Sequence, residues 1–127
     1  MNRPAAGIAA LSLALAVALG AVGAHAIGAD PGARDLWRTA SFWHTANSLG
    51  LLALAALWPQ MGGRLALAGM LAVGVGALAF CGSVYVQAVQ GSAPVPMLAP
   101  VGGTLQILGW LAVALAAFTG RPRAAGG

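Results

Sequence analysis

The sequence predicts an all-α membrane protein, a four-transmembrane-helix bundle with both termini in the cytoplasm. Sixty per cent of its 127 residues are hydrophobic and six per cent are charged, whereas about a quarter of the residues in a soluble domain are charged. The chain also contains four apolar runs long enough to cross a bilayer, with arginines near their ends. We therefore expect residues 1–127 to form a single transmembrane domain.

The formal charge of +4 comes from arginines that outnumber the aspartates six to two. A basic protein can bind nucleic acid when its positive residues form a patch on a folded surface. Here the arginines stand singly or in pairs beside apolar runs, which is how membrane proteins set their topology. The sequence therefore predicts a lipid bilayer as the environment and no nucleic-acid partner.

The first predicted span covers residues 5–27, which carry no charge. Ala24-His25-Ala26 follows a hydrophobic run and imitates a signal-peptide cleavage site, but the run exceeds the ~7–15 residues typical of such signals. Three further spans follow this one. We expect the first helix to be retained, although the sequence alone also allows cleavage.

The second predicted helix runs from Pro31 to Trp58, with Asp30 as its N-cap. At the usual rise per residue it would be about 42 Å long, more than the ~30 Å hydrocarbon core. Residues 31–40 are therefore predicted to lie at the membrane interface and residues 41–58 to form the span. Two tryptophans are expected to anchor this helix at the interface: Trp37 and Trp43.

The third and fourth spans are predicted at residues 65–89 and 100–119. A turn at residues 60–64 precedes the third span, and a proline-broken connection at residues 91–96 separates it from the fourth. Each span is long enough to cross the hydrocarbon core.

The arginines predict the orientation of the bundle. With four spans, both termini and the middle loop share one side, which holds four of the arginines: Arg3, Arg64, Arg121 and Arg123. The opposite side holds Arg34 and Arg38, each close to an aspartate. The positive-inside rule therefore places both termini in the cytoplasm of a bacterial inner membrane.

Small residues recur at every fourth position in three of the predicted helices and predict close helix packing. They are Ala16, Gly20, Ala24, Ala68, Ala72, Gly76, Ala112, Ala116 and Gly120. The single cysteine, Cys81, excludes an intrachain disulfide and is interpreted as a small buried hydrophobic residue.

Most polar residues within the spans are predicted to lie in the outer half of the bundle. This candidate cluster consists of His25, His44, Asn47, Ser83, Tyr85, Gln87 and Gln106. A polar stripe in the second helix continues into the span and is formed by Arg34, Arg38, Ser41, Thr45 and Ser48. The simplest interpretation is that the two histidines are neutral and hydrogen-bond to each other, to amide side chains or to backbone carbonyls.

Three alternatives assign a function to the histidines. His25 and His44 could ligate a haem, could hold a metal ion together with Cys81, or could lie on a path for protons or small solutes. Nothing resembles a nucleophile with a base and an orienting acid, since Asp30 and Asp35 are explained as a helix cap and a surface partner. We therefore expect no enzymatic activity, no catalytic residue, no cofactor and no metal.

Four stretches resemble the motifs of a family of small four-helix membrane proteins. Gly20-Ala21-Val22-Gly23-Ala24-His25 is similar to its G-A-F-G-A-H, and Trp43-His44-Thr45 to its aromatic-His-Thr. Ala79-Phe80-Cys81-Gly82-Ser83-Val84-Tyr85 is similar to its L-F-S-G-S-x-Y. Ala99-Pro100-Val101-Gly102-Gly103, followed by Gly109-Trp110, is similar to its T-P-x-G-G and G-W.

These motifs identify the chain as similar to the YgdD-like group of bacterial inner-membrane proteins, which is akin to eukaryotic transmembrane protein 256 and has no established activity. The departures are Cys81 in place of a frequent Ser, and Ser41-Phe42 in place of a frequent Tyr-Gln. The residues that match the family motifs are Gly20, Gly23, His25, His44, Gly82, Ser83, Tyr85, Pro100, Gly102, Gly103, Gly109 and Trp110.

The leading hypothesis for function is a non-enzymatic scaffold or accessory component of a larger membrane complex, since the sequence offers no reactive site and no domain outside the bilayer. A small oligomeric transporter or channel that uses the outer polar cluster is the first alternative. A haem- or quinone-associated redox accessory subunit is the second. The expected partners are the lipid bilayer and either a larger membrane-protein complex or further copies of the chain.

Overall fold

The computed structural model describes residues 1–120, and all regular secondary structure in this range is helical. The predicted roles of Arg121 and Arg123 lie outside the described residues. The elements are α1 (Arg3–His25), α2 (Pro31–Ala56), the short α3 (Trp58–Met61), α4 (Arg64–Gln90) and α5 (Leu98–Thr119). The prediction of an all-α protein is confirmed for this part of the chain.

Helix α1 begins at a side-chain cap. The side-chain oxygen of Asn2 accepts a hydrogen bond from the Ala5 N–H at 3.2 Å, which satisfies one of the first N–H groups of the helix. The Asn2 N–H itself donates to the Ala55 carbonyl at 2.8 Å. The start of α1 is thereby tied to the end of α2.

Helix α2 begins as the sequence predicts, because the Asp30 carboxylate accepts from the Ala33 N–H at 2.9 Å and Pro31 is the first helical residue. Its end differs from the prediction. The helix stops at Ala56, and α3 forms a separate turn. The physical reason is Pro59, which has no N–H to donate to the carbonyl of Ala55, four residues earlier.

Helix α4 ends at Gly91, which has a φ of 78°. This left-handed conformation is accessible to glycine at little cost. The Gly91 N–H closes the last turn on the Gln87 carbonyl at 2.8 Å. Helix α5 begins at Leu98, two residues before the predicted start, and accommodates Pro100 in its first turn.

The four long helices run in alternating directions. Helix α1 packs on α2, α2 on α4, and α4 on α5, with α4–α5 the most extensive contact. The same end of the bundle therefore carries the start of α1, the end of α2, the start of α4 and the end of α5. We call it the Arg64 end, and we call the opposite end the His25 end.

Three of these helices are long and apolar enough to cross a membrane: α1, α4 and α5. Helix α2, with 26 residues, has sufficient length, but it carries more polar side chains. The prediction of a fourth span therefore depends on where those side chains point.

Helices α4 and α5 meet along a seam of glycines. A Cβ atom added to Gly69 would lie 2.7 Å from the carbonyl oxygen of Gly109, and one added to Gly76 would lie 2.6 Å from that of Gly102. Gly69 and Gly76 are seven residues apart on α4, and Gly102 and Gly109 are seven residues apart on α5. The backbones of the two antiparallel helices therefore come into contact at two successive levels. We call these four residues the glycine seam.

Of the predicted every-fourth-residue stripes, only Gly76 belongs to this seam. Ala16 and Gly76 are buried, but Gly20 and Ala68 are exposed. An α-helix advances about 100° per residue, so a four-residue step moves 40° around the axis, whereas a seven-residue step moves only about 20°. The seven-residue spacing therefore stays on the contact face.

Candidate functional site

Polar side chains of α2 lie on two faces of the helix and join two separate hydrogen-bond networks. Ser41, His44 and Ser48 follow the helical spacing of three and four residues and face α1 and α4. Asn47 faces α5 instead. Helix α2 therefore has side-chain hydrogen-bond partners on α1, α4 and α5.

The first network is centred on His44. Its Nε2 lies 3.0 Å from the Ser12 hydroxyl of α1, and its Nδ1 lies 3.2 Å from the Tyr85 hydroxyl of α4. The Ser12 hydroxyl also lies 2.7 Å from that of Ser48. The Tyr85 hydroxyl donates to Ser41 at 3.4 Å. We call these five residues the histidine network, and they join α1, α2 and α4.

All direct partners of His44 are hydroxyl groups. A neutral imidazole donates at one ring nitrogen and accepts at the other, while a hydroxyl can do either. Because the Tyr85 hydroxyl hydrogen is donated to Ser41, the contacts fit the tautomer in which the His44 Nδ1–H donates to Tyr85 and Nε2 accepts from Ser12. Both ring nitrogens are engaged within the protein, so this arrangement leaves neither free to act as an axial haem ligand.

Trp37 extends the contact between α1 and α2. Its indole N–H donates to the Leu19 carbonyl at 2.8 Å, and its ring lies directly on Gly23, where a Cβ atom would collide with it. The ring also makes an edge contact with Tyr85, with centroids 4.6 Å apart.

Trp37 is 7% exposed, so its interpretation as an interfacial anchor is wrong. It is buried between helices because Gly23 leaves room for its ring. Trp43 is 46% exposed and makes an edge contact with Phe42.

The second network joins α2 to α5 and α4. The side-chain amide of Asn47 donates to the side-chain oxygen of Gln106 and to the Trp43 carbonyl. The Trp110 indole N–H donates to the Asn47 side-chain oxygen at 2.9 Å. We call Asn47, Gln106 and Trp110 the amide network.

Gln106 links the amide network to the glycine seam. Its side-chain N–H groups donate to the carbonyls of Gly76 at 3.3 Å and Gly102 at 3.2 Å. The Trp110 ring covers Gly50, where a Cβ atom would lie 2.6 Å from it. Trp37 and Trp110 thus each donate a hydrogen bond to the helix that carries the glycine they cover.

The buried polar atoms are satisfied. Within residues 1–120, every side-chain nitrogen and oxygen that is fully shielded from solvent has a hydrogen-bond partner. Both networks connect different helices, and such bonds contribute to holding bundles together in lipid. The two networks can therefore fix the positions of α1, α2, α4 and α5 relative to one another.

The structure brings together some members of the predicted polar cluster and leaves others apart. His44 contacts Tyr85, and Asn47 contacts Gln106. His25 is exposed at the end of α1, and neither His25, Ser83 nor Gln87 has a side-chain hydrogen bond with the described residues. Ser83 is 5% exposed, and Gln87 is half-buried.

Sequence reasoning missed Ser12 and Trp110 as members of the networks. Ser12 is the only residue with a polar side chain between residues 5 and 24, and that isolation is a signal that it faces another helix. Trp110 carried no such signal, because tryptophan is common both in packing contacts and at membrane interfaces.

Several motif residues lie at helix contacts. Gly23 lies under Trp37, and Gly102 and Gly109 belong to the glycine seam. A Cβ atom added to Gly103 would lie 3.8 Å from the Phe80 ring, whereas one added to Gly20 or Gly82 would meet no heavy atom within 4 Å. The Pro100 carbonyl accepts from the Thr104 hydroxyl at 2.9 Å.

The remaining reactive residues do not cluster. Cys81 is buried, at 4% exposure, as the sequence predicts. Among residues 1–120, no three His, Cys, Asp or Glu side chains are grouped so that they could hold a metal ion.

Comparison with known proteins gives matches over most of the chain. A family model described as a protein of unknown function (DUF423) matches residues 19–103. The chain is 33% identical over 112 residues to the UPF0382 membrane protein YwdK of Bacillus subtilis, covering 85% of this chain and 90% of that protein. No solved structure matches it.

Two further relatives are also named UPF0382 membrane proteins. A UPF0382 membrane protein of Haemophilus influenzae is 35% identical over 114 residues, covering 86% of this chain and 89% of the relative. One of Staphylococcus saprophyticus is 32% identical over 111 residues, covering 86% of this chain and 92% of the relative.

Proposed function

We propose that this chain, which belongs to the DUF423 family, is a non-enzymatic scaffold or accessory component of a larger complex in the bacterial inner membrane. Its relatives are named UPF0382 membrane proteins. Within the family we place it in the YgdD-like group, akin to transmembrane protein 256, on the motifs quoted above. The family is of unknown function, so the proposal depends on the geometry of the bundle.

The proposed topology has four spans formed by α1, α2, α4 and α5. The polar residues that make α2 less apolar are directed at neighbouring helices: His44 at α1 and α4, and Asn47 at α5. A span that hides its polar groups in this way can lie in lipid with an apolar outer surface.

The charges support an orientation with both termini in the cytoplasm. Arg3 and Arg64 lie at the Arg64 end, and Arg121 and Arg123 follow α5 in the sequence. Both aspartates and the other two arginines lie at the His25 end. The positive-inside rule favours the Arg64 end as the cytoplasmic one.

The retention of α1 is part of the proposal. Ser12 satisfies His44 and Ser48, and the Leu19 carbonyl accepts from Trp37. Without α1, these groups of α2 would face lipid, where an unpaired polar group is costly. The intact mass of the mature protein tests this, since cleavage near Ala26 would remove the helix.

The observation that carries the proposed function is the use of the intramembrane polar groups. The histidine and amide networks are occupied with interhelical bonds. The glycine seam brings the α4 and α5 backbones into contact. This arrangement favours a rigid, packed unit over a catalyst, and a unit of four spans has its outer helix surfaces available to other membrane proteins.

Native mass spectrometry of the complex, extracted gently from its own membrane, tests the proposal. The expected result is a second protein in fixed stoichiometry. It should stay bound during salt washes that do not extract integral membrane proteins. A particle that contains only this chain would overturn the accessory role. The same spectra would reveal any bound non-protein mass and would thereby test the redox alternative.

One observation favours the transporter alternative. The histidine network is a continuous row of groups that can each accept and release a proton: Ser48, Ser12, His44, Tyr85 and Ser41. Flux of protons or small solutes into liposomes that contain the pure protein tests this alternative. His44→Ala should abolish such flux if a transporter is present, while a scaffold should show none before the substitution.

A further inference from the structure

A cavity of about 280 Å³ opens at the Arg64 end of the bundle. It lies between the turn that joins α3 to α4 and the last turn of α5. Its lining consists of Pro59, Gln60, Met61, Gly62, Gly63, Arg64, Leu65, Ala66, Ala116, Thr119 and Gly120. The cavity is outside both hydrogen-bond networks.

Two side chains give this cavity hydrogen-bond donors that are not used elsewhere. The Arg64 guanidinium and the Gln60 amide make no side-chain hydrogen bond or ion pair with the described residues, and both are exposed. The Thr119 hydroxyl on the opposite wall donates to the Leu115 carbonyl at 2.7 Å and can still accept. The cavity therefore offers a cationic fork and an amide to a ligand.

The backbone adds donors of the same kind. Gly63 caps α4 without a side-chain hydrogen bond, so the N–H groups of the first turn have no acceptor within the helix. Leu65 and Ala66, two residues of that turn, line the cavity. The first intrahelical bond of this turn is from the Leu67 N–H to the Gly63 carbonyl at 2.9 Å.

The charge around the cavity is positive. Both acidic residues of the chain, Asp30 and Asp35, lie at the opposite end of the bundle. Arg3 begins α1 at the same end as the cavity. An anion near Arg64 would thus meet no carboxylate among the residues that line the site, and a guanidinium matches the geometry of phosphate oxygens.

We propose that the cavity bounded by Gln60, Arg64 and Thr119 binds a phosphate group, with Arg64 and Gln60 as its main donors. The source favoured by the position is the headgroup of an anionic phospholipid. The cavity lies where α4 begins and α5 ends, which is the level of lipid headgroups if both helices cross the membrane. Exposed Leu65 beside it provides an apolar surface for the upper part of an acyl chain. This inference rests on one part of the proposed function, namely that α4 and α5 cross the membrane.

Native mass spectrometry of the purified protein with defined lipids tests the inference. The wild type should retain phosphatidylglycerol in preference to phosphatidylcholine. Arg64→Gln should weaken retention of phosphatidylglycerol by about tenfold, as expected for loss of a hydrogen bond to a charged group. Arg64→Lys should lose less, because it keeps the charge.

Arg38→Gln is the matched control, since it removes the same charge from an exposed arginine at the opposite end of the bundle. Equal retention of both lipids by the wild type, or equal losses in the Arg64→Gln and Arg38→Gln variants, would overturn the inference. Unchanged thermal unfolding of each variant shows that a loss of lipid does not come from misfolding.

Inorganic phosphate distinguishes the two sources of the same chemistry. Added in millimolar amounts to the protein in an uncharged detergent, it should displace phosphatidylglycerol only if a free phosphate group is sufficient for binding. Failure to displace it assigns the site to the lipid headgroup. If the complex extracted from the membrane contains no partner protein, the accessory role is overturned. The lipid-retention test is unaffected, because it uses the purified protein alone.

Discussion

Gly69 of α4 and Gly109 of α5 face each other so closely that a Cβ atom on Gly69 would lie 2.7 Å from the Gly109 carbonyl oxygen. This distance is well inside the normal contact of a methyl group with an oxygen. The pair fixes how far apart α4 and α5 can be. Gly76 and Gly102 repeat the relationship one level nearer to the His25 end.

The first prediction concerns this seam. Gly109→Ala should destabilise the bundle by about 1–3 kcal/mol, because its methyl group would overpack against the Val73 backbone and side chain. Unfolding in mixed micelles, followed by tryptophan fluorescence, measures the change. Gly74→Ala is the control, since no heavy atom lies within 4 Å of its added Cβ. Equal unfolding of the two variants would contradict the seam.

The second prediction concerns the amide network. Asn47→Ala should lower the free energy of unfolding by about 1–3 kcal/mol, because it leaves Gln106 and Trp110 without their shared partner in a buried place. The same unfolding assay applies. Thr45→Ala, at an exposed position of the same helix, should change it little. A smaller effect for Asn47→Ala than for Thr45→Ala would exclude the network as a source of stability.

The third prediction concerns the attachment of α1. Ser12→Ala and His44→Ala should not be additive, because the two side chains are bonded at 3.0 Å. The coupling free energy from a double-mutant cycle is expected at about 0.6 kcal/mol, with ~1.7 kcal/mol as the upper range for such bonds in membranes. Additive effects would show that the contact contributes nothing to stability.

The fourth prediction concerns topology. In a Cys81→Ser background, a cysteine at Gln90 should react with a membrane-impermeant maleimide in intact spheroplasts. A cysteine at Gln60 should react only after the membrane is opened, because it lies at the Arg64 end. The reverse labelling pattern would invert the proposed orientation, and labelling of both from outside would mean that α4 does not cross the membrane.

The sequence is sufficient to predict features that depend on neighbouring residues. Asp30 and Pro31 mark the start of α2 because capping is a local interaction. The end of α2 is misjudged by two residues, because the consequence of Pro59 extends back to the carbonyl four positions earlier. The burial of Cys81 also follows from its apolar surroundings.

Features that depend on the register between helices could not be predicted. The pairing of Gly69 with Gly109 requires the α4–α5 alignment, which a single sequence does not provide. The same holds for Trp37, since its burial depends on Gly23 of another helix. Within the predicted polar cluster, His44 and Tyr85 are in contact. His25 lies at the end of α1, far along that helix from Ser12, which is the α1 residue that contacts His44.

The placement of both networks on α2 has a consequence for biogenesis. This helix leaves the ribosome after α1 and before α4, at a time when its only partners on another helix are Ser12 and the α1 backbone. Asn47 can donate to the Trp43 carbonyl of its own helix, but its partners on α5 are synthesised only after α4. Insertion of α2 should therefore require α1 as a companion in the translocon, and the nascent chain should be most vulnerable to membrane proteases until α5 arrives.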